Sequence, residues 1–369
     1  MFPTGGSSDI ISLINTLVFL VLMFFIFTGL NQKFQMALWI RNIRNYLLKI
    51  EKIAADARKQ CVESLRELGF KGDPEKFVEK FIEFFIIEPV SDEPIGLMKR
   101  LEHLLDTRNM RFKNALARAL PNTSKYERYN AEVILEVAIA LTYIYRIVRH
   151  YLILGQKTNN WILIMQLELQ MPQIMRIAET YYRALEAFKE VKPIGDSIGP
   201  LVAAKLMKFN SNKRTIVEDT IVAEVERKGR KLLIVKAEGP GSNVGKPGEA
   251  IKRLVEAYQG KIARIVMIDA ALKLEGEKSG EVIEGVGAAI GDPGPEKFKI
   301  ENVAADYNIP LDSIVIKESL EEAITTMRKE ISEAADKVIE TIDNILEERT
   351  KPGDIVIIAG IGNTVGVAQ

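Results

Sequence analysis

The sequence predicts three parts in series: one membrane-spanning helix, an α-helical domain, and a C-terminal α/β domain on a doubly wound, mostly parallel sheet. Three observations carry this reading. Residues 10–30 hold no charged side chain and are rich in Leu, Ile, Phe and Val. From 31 to 190 apolar residues recur at helical spacings of three and four. From Val191 onward the texture changes to short β-rich runs, Gly-rich turns and intervening helices, the pattern of α/β alternation. The expected parts are therefore an extracytoplasmic N-terminus at 1–9, a transmembrane helix at 10–30, a helical stalk and bundle at 31–190, and an α/β domain at 191–369.

The 10–30 run matches the about 20 apolar residues that cross a hydrocarbon core at ~1.5 Å rise each. Only Asp9 precedes it with a charge, which argues against a cleaved signal peptide with a basic leader. Lys33, Arg41, Arg44, Lys49 and Lys52 follow it. By the positive-inside rule the N-terminus lies outside, and the bulk of the chain lies on the cytoplasmic side of the cell membrane.

Composition narrows the chemistry. At 369 residues the chain has room for two domains or more. Lysine plus arginine and aspartate plus glutamate both count 50, so net charge draws the protein to no nucleic acid. The one cysteine, Cys61, excludes an internal disulfide framework and fits a reducing compartment. Both histidines, His103 and His150, precede the α/β half. Chemistry after residue 190 must run on carboxylates, lysines, hydroxyls or backbone groups. Frequent Ile, Lys and Glu with little Cys and His lean toward a thermophile.

In the helical part, Ile43, Leu47, Ile50, Ala54, Ala57 and Cys61 form a heptad seam. It reads either as a coiled-coil stalk joining copies of the chain or as a face packed against the protein's own later helices. Helices are expected at 75–87, 95–106, 108–120, 125–154 and 160–190, the last kinked at Pro172. The stretch 134–154 is apolar, but Glu136, Arg146, Arg149 and His150 make it a buried bundle helix rather than a span. Tyr143, Tyr145, Tyr151, Trp161, Tyr181 and Tyr182 read as core and rim, and no chemistry is expected here.

In the α/β half, 215–226 and 231–237 read as a hairpin. The loop Gly239-Pro-Gly-Ser-Asn-Val-Gly-Lys-Pro-Gly248 leads into a helix at 249–258. A strand at 263–268 ends at Asp269. A Gly-rich stretch at 284–294 leads to a helix at 296–307, then come a strand at 313–317, a helix at 320–348 and a last strand at 354–359. The 239–248 loop fails as a phosphate-binding P-loop. Pro240 stands where the first Gly is required, and Pro247 where the magnesium-binding hydroxyl should be. It reads better as the rim of a cleft.

Two acids sit where such a sheet gathers ligands, beyond the C-terminal strand ends. Asp269 follows the run Ile265-Val-Met-Ile268, and Asp196 opens a helix in Ile194-Gly-Asp-Ser-Ile-Gly-Pro200. Each has a plainer explanation, as a strand end and as an N-cap. The last strand, Ile355-Val-Ile-Ile-Ala359, runs into Gly360-Ile-Gly-Asn363. If that strand is central, both acids face one cleft.

These motifs carry a resemblance. The Gly-Asp-Ser-Ile-Gly turn with its helix resembles the acidic turn of spore germination proteases. The Gly360-Ile-Gly-Asn363 strand end resembles the opening of hydrogenase-maturation endopeptidases, which share that fold. There the two segments are contiguous; here they stand in the opposite order, which implies a circularly permuted phosphorylase/hydrolase-like domain over roughly 192–369. The resemblance implies Asp196 and Asp269 as site acids, with Gly195, Ser197, Gly239, Gly241, Ser242, Asn243, Gly360, Gly362 and Asn363 forming the ligand cleft. The nickel-recognition histidine of the maturation enzymes is missing, so nickel is not expected. Paired acids suit a histidine-free site, one holding a proton while the other activates water. A hard divalent cation, magnesium or calcium, could bind the same two acids through oxygen. The whole chain also looks like an archaeal family of about this length with no assigned function.

Two functions are thus open: a membrane-anchored, acid-dependent peptidase or hydrolase acting on a protein or peptide, and a non-catalytic ligand-binding scaffold or sensor.

Overall fold

The computed structural model describes residues 6–27, 30–87, 89, 96–207, 212–291 and 294–368. The first half is helical: α1 (Gly6–Phe27), α2 (Leu30–Glu67), α3 (Pro74–Ile82), α4 (Leu97–Ala119), α5 (Lys125–Lys157) and α6 (Trp161–Lys189). A 3-10 turn, Gly195–Ser197, then opens α7 (Ile198–Met207), followed by strands β1 (Lys213–Val217), β2 (Thr220–Arg227) and β3 (Arg230–Ala237). Next come α8 (Pro247–Ala257), β4 (Arg264–Leu272), β5 (Val282–Val286), α9 (Pro295–Asp306) and β6 (Leu311–Glu318). The chain closes with α10 (Leu320–Ile324), α11 (Lys329–Arg349) and β7 (Ile355–Gly360).

The expected membrane span is corrected. Among the described residues no helix is long and apolar enough to cross a membrane. A single-pass membrane localisation, with its outside-to-inside orientation, is therefore not supported.

The sheet is corrected too. It is mixed rather than mostly parallel, in the order β1-β2-β3-β7-β4-β6-β5. β7 lies between β3 and β4, parallel to both, and β4 pairs parallel with β6. At one edge β1, β2 and β3 form an antiparallel meander, and at the other β5 folds back antiparallel on β6. The reason is local. The segment expected as one strand at 215–226 turns back on itself at Glu218-Asp219, where Asp219 takes a positive φ of 55° that short Asp tolerates. β5 (Val282–Val286) overlaps the start of the Gly-rich stretch at 284–294, where no strand was expected.

The chain divides into two compact units. In the one made of Met1–Asp56 and Ala140–Glu179, Tyr145 donates to Glu51 at 2.9 Å and Asn42 to Glu168 at 3.4 Å. Seam residues Ile43, Ile50 and Ala54 are buried there within the single chain. α6 continues through Pro172.

The other unit, Ala57–Ile139 with Thr180–Gln369, holds the sheet. Its seam residues Ala57 and Cys61 are also buried. α4 runs unbroken across Asn109, where two helices were expected. β7 carries apolar residues on both faces because both are covered, as parallel inner strands require. On one face Val202 and Leu206 of α7 and Val338 and Ile342 of α11 join Ile234, Ile268, Ile316 and Ile358 in a core. On the other, Ile251 and Leu254 of α8 and Ile300 of α9 pack with Val235, Met267 and Ile357.

Candidate acid site

The site grows from the end of β7. Past Gly360 the chain keeps its pairing with β4, Ile361 N–H donating to the Ile268 carbonyl at 2.8 Å. α7 rests on this strand end backbone to backbone. A Cβ at Gly199 would overlap the Ile361 carbonyl oxygen, and one at Gly360 would overlap the Gly199 carbonyl oxygen. Gly362 has φ 124°, and a Cβ there would collide with the Asp196 carbonyl oxygen. The 3-10 turn therefore seats directly on the Gly360-Ile-Gly-Asn363 turn. Asn363 N–H donates to Asp196 Oδ2 at 2.7 Å.

Asp269 lies near the end of β4, opposite Val315, and is 5% exposed. Its Oδ1 accepts from Ala270 N–H at 2.8 Å. Burial first, and then the Asp196 charge, raise its carboxyl well above the ordinary aspartate range. Asp196 is half-buried. Its carboxyl is raised by burial and drawn back by the Asn363 N–H. Like charges so placed cannot both ionise readily.

A third acid belongs here that sequence reasoning passed over. Glu318, the last residue of β6, is 1% exposed, and neither carboxylate oxygen has a hydrogen-bond partner. Burial, then the charges of Asp196, Glu322 and Asp269, push it up to about 9. Its Oε2 lies against Gly195, where any Cβ would collide with it. The available signal was alternation: Glu318 shares the strand face of Ile314 and Ile316, and so points into the core. Neighbouring Glu322 differs. Ser319 N–H and the Ser279 hydroxyl donate to it, Arg328 pairs with it at 2.8 Å, and it stays ionised.

The remaining predicted cleft residues divide by role. Ser197 is fully buried, accepting from Ile194 N–H at 3.4 Å and donating to the Val365 carbonyl at 3.5 Å, so it ties the turn together. The 239–243 loop is bound to the chain end: Thr364 N–H donates to the Asn243 carbonyl at 2.9 Å, and the Thr364 hydroxyl to the Gly241 carbonyl at 2.8 Å. At Gly239 a Cβ would overlap the Val367 carbonyl oxygen. The Asn363 side-chain amide donates to Ser242 Oγ at 2.8 Å. Ser242 N–H in turn donates to Asn130 Oδ1 at 2.8 Å.

Asn363, Ser242 and Asn243 also line a pocket of about 280 Å³, closed by Arg108 and Lys113 of α4 and by Tyr129, Glu132 and Glu136 of α5. Neither Asp196 nor Asp269 lines it. Asn363 thus touches both places, its backbone Asp196 and its side chain the pocket. The helical region, where no chemistry was expected, supplies one pocket wall. Among the described residues no three His, Cys, Asp or Glu side chains are grouped to hold a metal ion.

Fold and site together define a mixed-sheet domain with helices on both faces and an acid cluster at its strand ends, preceded by a helical region. The chain belongs to the DUF1512 family: residues 17–191 match the protein of unknown function (DUF1512) N-terminal domain, and residues 194–368 the domain of unknown function (DUF1512) C-terminal. No curated protein matches it.

Proposed function

We propose that Asp196 and Asp269 form an acid–base pair that hydrolyses an amide bond of a peptide. One observation carries the reading: Asp196, in the turn seated on the end of β7, and Asp269, on the neighbouring strand β4, are each raised by burial, with the Asp196 charge adding to Asp269. The Asn363 N–H favours the ionised form of Asp196, which makes it the base. Asp196 takes a proton from the attacking water, whose oxygen bonds to the carbonyl carbon. Asp269 gives its proton to the departing nitrogen as the C–N bond breaks. The products are an acid and an amine, and solvent exchange restores the starting protonation. The resemblance of the Gly-Asp-Ser-Ile-Gly turn to the acidic turn of spore germination proteases supports the same class.

The test is hydrolysis of a fluorogenic peptide panel by the wild type, Asp196→Asn and Asp269→Asn, with folding checked by circular dichroism and melting. The expected result is turnover of at least one peptide and a loss of about 10²–10⁴-fold in each variant. Turnover that survives both changes, or none from the wild type, overturns the proposal. A second reading, non-catalytic ligand binding, is favoured by the pocket beside Asn363, whose lining omits both acids. A small molecule retained through purification without turnover would support it.

A further inference from the structure

We propose that the pocket between α4, α5 and the 239–246 loop binds a small cationic group, a primary amine or guanidinium, with Glu132 as its counter-ion. This deepens the ligand-binding reading and stands apart from hydrolysis at Asp196 and Asp269.

The argument is an inventory of charge. Each cation on the lining already has its carboxylate. Arg108 pairs with Glu136 at 2.5 Å, Lys113 with Asp219 at 2.7 Å and Glu218 at 3.0 Å, and Lys246 with Asp106 at 2.9 Å. Asp219 is further engaged by the Tyr129 hydroxyl at 2.5 Å and by Lys125 at 3.7 Å. Glu132 is left over: among the described residues it has no hydrogen-bond or ion-pair partner, although it lines the cavity and is half-buried. An unpaired carboxyl facing a cavity is a vacancy for positive charge. The opposite wall is polar, formed by Ser242, Asn243 and Asn363. At about 280 Å³ the space suits a ligand of amino-acid size.

The charges around Glu132 agree. Burial and Glu136 on its own helix raise its carboxyl to about 7, Asp219 of the β1–β2 turn adds to this, and Lys113 and Arg108 of α4 oppose it. A bound cation would hold Glu132 ionised, so binding near neutral pH releases a proton.

The experiment titrates the full-length protein and Glu132→Gln by calorimetry with the amides of lysine, arginine and norleucine, each Nα-acetylated so that only the lysine and arginine side chains carry a charge. It is run at pH 7 in two buffers of different ionisation enthalpy. Binding of a cationic amide at least tenfold tighter than norleucine amide, with proton release, is expected; Glu132→Gln should lose at least tenfold affinity and the proton release. Equal binding of norleucine amide, an undiminished Glu132→Gln, or no binding by any probe overturns the proposal. If Glu132→Gln does not fold, the wild-type comparison of lysine with norleucine amide decides alone. Asp196→Asn and Asp269→Asn should bind the cationic amides as the wild type does, which separates this test from that of hydrolysis.

Discussion

Glu318 is the residue whose placement is hardest to explain by stability. A carboxyl buried without partners costs on the order of 1–3 kcal/mol even when neutral, and more if it must ionise. Its folded-state value of about 9 lies far above the ordinary glutamate value of 4.5. The sign follows from linkage. Below pH 4.5 both states hold the proton and there is no penalty. As pH rises toward 9 only the unfolded chain ionises, so stability falls across that window at up to about 1.4 kcal/mol per pH unit. Melting curves of wild type and Glu318→Gln from pH 5 to pH 9 check this. The variant's melting temperature should gain on the wild type as pH rises; parallel curves would show that Glu318 ionises normally. Cys61 is the opposite case. Burial pushes its thiol up to about 12, so it behaves as a packing residue.

At the scale of elements, α7 and β7 are joined by absence of side chains. Gly199 and Gly360 let helix and strand end approach so closely that a Cβ on either meets backbone, which cannot swing aside as a side-chain tip can. Gly360→Ala should therefore destabilise the fold by about 2–4 kcal/mol, read from urea unfolding against the wild type. A change within about 0.5 kcal/mol would mean the contact is looser than described. The inner strand β7 was legible because five apolar residues without alternation can only be covered on both faces. The β1–β2 turn was not, because its signal was two acidic residues inside an apolar run. Asp219 turns the chain there because α4 and α5 bring Lys113 and Tyr129 to its carboxylate. That is a tertiary cause that no local window contains. The run at 10–30 was read as a span from its apolar count, yet among the described residues no helix is long and apolar enough to cross a membrane.

Across the whole molecule, the acid site joins segments from opposite ends of the C-terminal half. Asp196 and Asp269 were singled out because one opens a helix beside a glycine-rich turn and the other follows an apolar run, although β4 continues past Asp269 to Leu272. Glu318 was hidden, since only the assembled sheet reveals which face of β6 is covered. The pocket was hidden for the same reason: Glu132 and Lys113 look like ordinary charged helix positions until α4 and α5 are set against the 239–246 loop. The account rests on Asp196 and Asp269 titrating as one pair. The direct measurement is a pH titration of the aspartate side-chain carboxyls by ¹³C NMR in wild type, Asp269→Asn and Asp196→Asn. One aspartate should titrate well above the ordinary range in the wild type and vanish in Asp269→Asn. In Asp196→Asn it should move to lower pH, because the repelling charge is gone. An Asp269 that titrates in the ordinary range, or that is unmoved by Asp196→Asn, would contradict the account.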